Sequence, residues 1–312
     1  MSHPGVSTVL SAHLSHLHAS LHHRNDWHSR PRTRALRYVI RSLYAPRLHD
    51  RWMAMLFSDA LSPLLARDTH LFERWQHRWV SRGFSRRQKL RLLLDHYAYL
   101  PTLLGPEALA GLGRGERINV ARTSLKDGRE LRVFLAAPIL RCLEGELVIG
   151  LSLDHEPVVS MTLTLCPDAG YVLVGCVQGA RSETTLTDIR AITRACHGLR
   201  PKDLLLSMVR VIARKVGVPT VRGPGNRAHV FGNTTRVKAC YDTFWLEAGA
   251  MRGDDGLFGT PSDEPVRSIA RVDSKHRSAF RARENLRHDL SVQVAYALAV
   301  HASSAAYHRK RP

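Results

Sequence analysis

No run in the sequence approaches the ~20 consecutive apolar residues that a helical membrane span requires, so no segment is expected to cross a bilayer as a helix. A continuous apolar stretch is also missing at the N-terminus, where His, Ser and Arg recur, and a cleaved secretory leader is not expected. Cysteine is scarce. Cys142, Cys166, Cys176, Cys196 and Cys240 form an odd set without C-x-x-C spacing, which speaks against a disulfide framework and against a structural zinc site. These features point to a reducing, cytoplasmic compartment. Helix-turn-helix, zinc-finger and RNP signatures are absent too, so nucleic acid is not the expected partner.

Acidic residues are outnumbered: 27 Asp and Glu face 46 Lys and Arg, for a net charge of +19. The excess is not uniform. Residues 1–115 carry 17 basic against 7 acidic side chains, residues 116–180 carry 6 against 8, and residues 181–312 carry 23 against 12. Both flanks are basic and the middle is not. Basic flanks attract phosphates of any kind, including anionic lipid, coenzyme and nucleotide, so an anionic membrane surface or envelope component is an expected partner, with the protein peripheral to the inner membrane. The 44% hydrophobic and 23% charged fractions are those of an ordinary globular chain able to bury a sizeable core.

Three regions follow from the patterning. Residues 1–31, rich in His, Ser and Arg, read as a flexible tail. Its His13, His16, His18, His22 and His23 fall at mixed spacings, and no Cys or acidic residue completes a metal site. Residues 32–115 are helical, with apolar side chains three and four apart (Leu36, Val39, Ile40, Leu43) and Ser85 placed to cap a helix. Residues 116–312 are mixed. Leu131–Ala137, Glu146–Leu153, Pro157–Leu165 and Tyr171–Val177 read as strands, and the short links between the last three require antiparallel neighbours. Two helices follow, Thr187–Cys196 and Pro201–Val216, the second opened by Pro201 and closed by Gly217. Val218–Val221 reads as a strand, residues 223–265 as loops around an aromatic segment, and a basic stretch from Ser274 to Arg287 leads into a last helix. The fold class is α+β: an N-terminal helical region, then a mainly antiparallel sheet flanked by helices.

The segment around Gly198 carries the clearest chemistry. A helix N-terminus presents unpaired N–H groups and the positive end of its dipole, which favours an anion. Arg200 and Lys202 add full charges at that point, so a phosphate or pyrophosphate would fit.

Five ordered motifs resemble the VirK/YbjX family, the DUF535 domain, over about residues 70–300. They are Leu173–Gly179, His197–Leu205, Asn226–Val230, Tyr241–Glu247 and Ser274–Ser278, with departures at His276 and at Ala248-Gly249-Ala250. The resemblance implies association with virulence, envelope homeostasis and resistance to antimicrobial peptides. It supplies no catalytic residues. The order meander, helix, strand also looks like the core of GCN5-related acyltransferases, although their Gly-rich pyrophosphate loop is absent. That likeness implies coenzyme A or another phosphate-bearing ligand held by His197, Gly198, Leu199, Arg200 and Lys202, beside Gln178 at a strand end.

His229, Tyr241, Asp242 and Glu247 are the candidate acid–base residues. A carboxylate or imidazole can take a proton from a reacting amine, and a Tyr can protonate a thiolate leaving group. Phe244 and Trp245 would wall the pocket. Three function classes stay open: an acyl- or aminoacyl-transferase, a nucleic-acid binder that would use the basic flanks but has no signature to support it, and a non-enzymatic peripheral membrane or partner-binding protein. A single site requires Trp245 or Glu247 to approach His197–Lys202.

Overall fold

Alternating apolar residues and short turns organise the middle of the chain. A computed structural model describes residues 6–23, 31–179, 186–232, 234, 240–265 and 268–309. In it β1 (Ile118–Ser124), β2 (Glu130–Ala136), β3 (Leu147–Leu153), β4 (Glu156–Cys166) and β5 (Tyr171–Gly179) are successive antiparallel neighbours. The links leave no other choice. Asp154 and His155, both at positive φ, turn β3 into β4. A 3-10 turn at Pro167–Ala169, closed by Gly170 at φ 80, turns β4 into β5. The expected meander is present, and β1 extends it by a strand that the alternation reading passed over.

After β5 come α6 (Leu186–Ala195) and α7 (Pro201–Val216). Proline opens α7, where its missing N–H costs nothing, and Gly217 closes it at φ 81. The chain returns as β6 (Thr220–Pro224), parallel to β5. Residues 223–265 are more ordered than loops. They contain α8 (Tyr241–Glu247), β7 (Met251–Arg252) and β8 (Leu257–Pro261), and the strand order is β1-β2-β3-β4-β5-β6-β8-β7. The last helix, α9 (Arg277–Arg309), takes in most of the basic stretch expected to precede it. Its Leu286, Leu290, Val294 and Leu298 recur every fourth residue and are buried, which holds the basic stretch in the same helix.

Among the described residues five α-helices precede the sheet: α1 (Val6–His22), α2 (Pro31–Leu43), α3 (Pro46–Leu56), α4 (Ser62–Arg67) and α5 (Arg86–Arg114). Ser85 caps α5, accepting the Gln88 N–H at 3.2 Å. Much of the segment read as a tail is α1, packed on α3. The His13 ring stands 2.8 Å from Asp50, Leu17 is buried, and Tyr38 donates its hydroxyl proton to Ser20 at 2.7 Å. Residues 1–5 and 24–30 lie outside the described residues. Trp52 of α3 donates to the Leu71 carbonyl at 2.8 Å and meets Tyr97 of α5 edge-on. One continuous apolar core runs from these helices through the sheet. The fold is α+β, helices plus an eight-stranded, mostly antiparallel sheet.

Candidate functional site

The single parallel pair in the sheet is also short. β5 and β6 match only at Tyr171–Thr220, Val172–Val221 and Leu173–Arg222, and beyond that point the strands part. Strand edges carry N–H and C=O groups that need partners. Here side chains supply them. His229 Nε2 donates to the Gly175 carbonyl at 2.9 Å, and the Tyr241 hydroxyl accepts the Val177 N–H at 3.4 Å. Trp245 wedges into the crotch of the fork, fully buried, and donates to the Pro224 carbonyl at 3.2 Å. Gly223 is required for this fit, since a Cβ there would lie 2.1 Å from the indole and 2.5 Å from the Val174 carbonyl.

His229 has both ring nitrogens engaged. Its Nδ1 accepts the Phe231 N–H at 3.1 Å, so the proton resides on Nε2, which also faces Glu144 at 3.3 Å. The imidazole stacks on Tyr241 with centroids 4.6 Å apart. Burial, with the Cys176 thiol beside it, pushes the Tyr241 phenol far up, so it stays protonated. Asp242 is held too. It accepts the Asn226 N–H at 2.8 Å while Asn226 accepts the Tyr241 N–H at 2.6 Å, which ties α8 to the loop after β6.

Because β5 and β6 run parallel, the crossover brings the start of α7 to the end of the sheet where β5 finishes. There Arg200, Lys202 and Glu247 converge. Lys202 Nζ donates to Glu247 at 2.8 Å, and Arg200 bonds Asp203 at 2.7 Å and reaches Glu247 at 3.2 Å. The Lys202 ammonium also lies over the Phe244 ring, 5.6 Å from its centroid. The Lys202 bond first, then Arg200, holds the Glu247 carboxyl below its ordinary value. The segments 197–202 and 241–247 therefore meet, through Glu247. Leu199 is buried, Gly198 adopts φ 85 and His197 φ 55, so the turn before α7 is tight and left-handed.

Gln178 falls in a different group. It is exposed and lines a cavity of about 440 Å³ with Cys142, Glu144, Ser160 and Thr162. Glu144 thus links this cavity to His229, which plugs the fork.

The sequence reading missed two features. The first is a buried ionic seam between the helical region and the sheet. Glu146 accepts from Trp79 at 2.8 Å and from Tyr97 at 2.6 Å, with Arg74 at 3.5 Å, and Arg74 continues to Asp68 at 3.2 Å. Burial raises the Glu146 carboxyl despite Arg74; at Asp68 burial is outweighed by His70 and Arg74, and the carboxyl is lowered. These residues span 68–146 and carry no local signature. The second is Cys240, exposed at the N-cap of α8. Its sulfur accepts from Thr243 and Asn226, which lowers the thiol, whereas burial raises Cys142, Cys166, Cys176 and Cys196. A short polar residue before the aromatic helix was the signal for such a cap.

Among the described residues no helix is long and apolar enough to cross a membrane. The chain is 27% identical to the protein YbjX of Escherichia coli (strain K12) over 279 residues, covering 86% of this chain and 84% of that protein. It is 24% identical to "Membrane protein LapB" of Mannheimia haemolytica over 193 residues, 60% of this chain and 80% of that one. Among solved structures it is similar to a cAMP-binding acyltransferase from Mycobacterium smegmatis. That likeness has a TM-score of 0.31 and 8% identity, covers 67% of this chain and spans 61% of that protein, and is too slight to carry an argument. A family model described as "Protein of unknown function (DUF535)" matches residues 27–296. The match takes in most of the fold, and the chain belongs to the DUF535 family.

Proposed function

We propose that the chain binds a phosphate-bearing acyl donor of the coenzyme A class at the open end of the β5–β6 fork and passes the acyl or aminoacyl group to an amine. One observation carries this reading. Arg200 and Lys202, at the positive end of a 16-residue helix, converge on a single carboxylate, Glu247, beside the parting strands. A ligand phosphate suits that position better than Glu247 does, because it brings more charge and more acceptor oxygens. Binding would release Glu247.

In this scheme the amine nitrogen attacks the thioester carbonyl, a C–N bond forms, the C–S bond breaks and the thiolate leaves. Glu247, freed from its cations, takes the proton the amine loses. Tyr241, kept protonated by burial, would steady the departing thiolate with a hydrogen bond, and the thiolate takes its proton from water. His229 and Asp242 act as positioning residues, one holding β5 and the other holding α8 to the loop at Asn226. The family resemblance and the description of LapB as a membrane protein support an envelope amine as acceptor and a role in envelope homeostasis and antimicrobial-peptide resistance.

Calorimetric titration with coenzyme A and acetyl-coenzyme A tests the reading. The wild-type chain is expected to bind, and Arg200→Ala with Lys202→Ala to weaken binding at least about tenfold, the cost of one or two charge-assisted hydrogen bonds. The melting temperature should hardly move. Absence of binding by the wild type at millimolar ligand would reject it.

A further inference from the structure

We propose that the face built by α2, α3 and the start of α5 docks on an anionic bilayer, with lipid phosphates held in the groove between α3 and α5 and the outer stripe of α2 lying among the acyl chains. This inference is independent of the acyl-transfer reading.

The groove has a volume of about 1560 Å³ and is open to solvent. Arg47 and Arg51 line it from α3, and Arg86, Arg87 and Arg91 from α5. The pairs Arg47/Arg51 and Arg87/Arg91 are each four apart, so each pair presents its guanidinium groups on one helix face. All five are exposed, and among the described residues none has a carboxylate within ion-pair distance, although Arg91 is near enough to Asp95 to act on its charge. Between them the floor is apolar, formed by Leu48, Met55, Leu90 and Leu94. The carboxylates in the groove, Asp95 and Asp168, lie toward one end, one turn beyond Arg91. Asp95 already accepts the Asp168 N–H at 3.1 Å.

This charge arrangement is unfavourable without an anion. Both helices begin in the groove, neither has an acidic residue in its first turn, and cations there oppose the positive end of the dipole. Lys89, buried on the same helix and bonded to the His77 carbonyl, is lowered to about 8 by burial and then by Arg86 and Arg41.

α2 adds the second, independent observation. Leu36, Ile40 and Leu43 are spaced to share one face, and they are 60%, 50% and 52% exposed. The inner face of the helix is Tyr38 and Ser42, both buried and hydrogen-bonded. A helix packed for core burial would present the opposite pattern. Tyr44, 84% exposed, continues the stripe directly into the groove. An apolar stripe bordered by unpaired arginines fits the interface of an anionic bilayer. A nucleic acid would use the arginines and leave the stripe unexplained.

The test is co-sedimentation of the full chain with vesicles of phosphatidylglycerol and phosphatidylcholine, against phosphatidylcholine alone, at physiological ionic strength. The exposed-site variants Leu36→Asp/Ile40→Asp and Arg47→Ala/Arg51→Ala/Arg87→Ala/Arg91→Ala should each reduce partitioning at least about tenfold. A control that removes equal charge elsewhere, Arg190→Ala/Arg194→Ala/Arg252→Ala/Arg281→Ala, should reduce it less than about threefold. Equal losses in groove and control variants would mean adsorption by net charge and overturn the proposal. So would an unaffected stripe variant, full displacement by soluble glycerol phosphate, or binding to a single-stranded oligonucleotide in place of vesicles. Circular dichroism on each variant separates lost docking from lost folding.

Discussion

At the β5–β6 fork Arg200 and Lys202 pair with carboxylates of their own chain; in the groove between α3 and α5 no carboxylate lies within ion-pair distance of the five arginines, and the two acids of the groove sit at its Arg91 end. Both regions belong to a protein with the same surplus of positive charge. The fork is internally satisfied: its cations are paired, its open strand edge is bonded by His229 and Tyr241, and its crotch is filled by Trp245. The groove is internally unsatisfied, and its neighbouring helix turns apolar residues outward. Net charge alone cannot distinguish these regions. What distinguishes them is whether the chain supplies its own counter-ion, and this sets the ligand behaviour expected of each. A ligand at the fork must displace Glu247, whereas one in the groove displaces only water and salt.

The contrast sharpens when the buried seam is cut. Arg74→Ala should destabilise the chain by about 3–5 kcal/mol, because Glu146 and Asp68 are then left without their buried cation. Urea unfolding measures this. A loss below about 1 kcal/mol would place the seam with ordinary surface pairs.

Next in size is an acid effect. Burial, aided by His13, lowers His49 to about 4, and burial lowers His96 to about 3. A base lowered in the folded state binds fewer protons there than in the unfolded chain. Its stabilising contribution is therefore complete above the unfolded value near 6.5 and is lost as pH falls toward 4. At about 1.4 kcal/mol per unit, His49 alone accounts for roughly 3 kcal/mol. His49→Leu should flatten the loss of stability between pH 6.5 and 4, and an unchanged acid limb would remove His49 from the explanation.

The sign of a surface substitution offers a smaller but direct comparison. Arg47→Gln or Arg87→Gln should raise stability by a few tenths to about 1 kcal/mol, since a cation leaves a helix N-terminus. Arg200→Gln should lower it by less than about 1 kcal/mol, because an exposed ion pair is lost. Matching signs would erase the distinction between the regions. The smallest effect is chemical. Among the five thiols, Cys240 should react first with iodoacetamide, because it alone is exposed and lowered; mass spectrometry locates the label.

Much of the fold was legible because local patterns determine it. Alternation and tight turns gave the meander, and Pro201 and Gly217 gave α7 to the residue. The seam of Asp68, Arg74, Tyr97, Trp79 and Glu146 was not legible, because its partners come from four separate segments. β7 and β8 were hidden in a Gly- and Pro-rich stretch whose composition resembles loop. Of the candidate site, an approach of Glu247 to the segment 197–202 was the requirement of a single site, while its pairing with Lys202 and Arg200 was not foreseen. The engagement of His229 and Asp242 with backbone groups was not, since a side chain bonded to a strand edge leaves no periodic trace.

Glu247 gives the most direct test of the central claim. If it holds the place of a ligand phosphate, Glu247→Gln should bind coenzyme A about tenfold more tightly than wild type, as one competing charge-assisted contact is removed, while acyl transfer to an amine falls. Calorimetry on the two proteins, side by side, decides this. Tighter binding of the variant is the expected result. Unchanged or weaker binding would mean that Arg200 and Lys202 serve only to anchor α8, and the fork would not be the cofactor site.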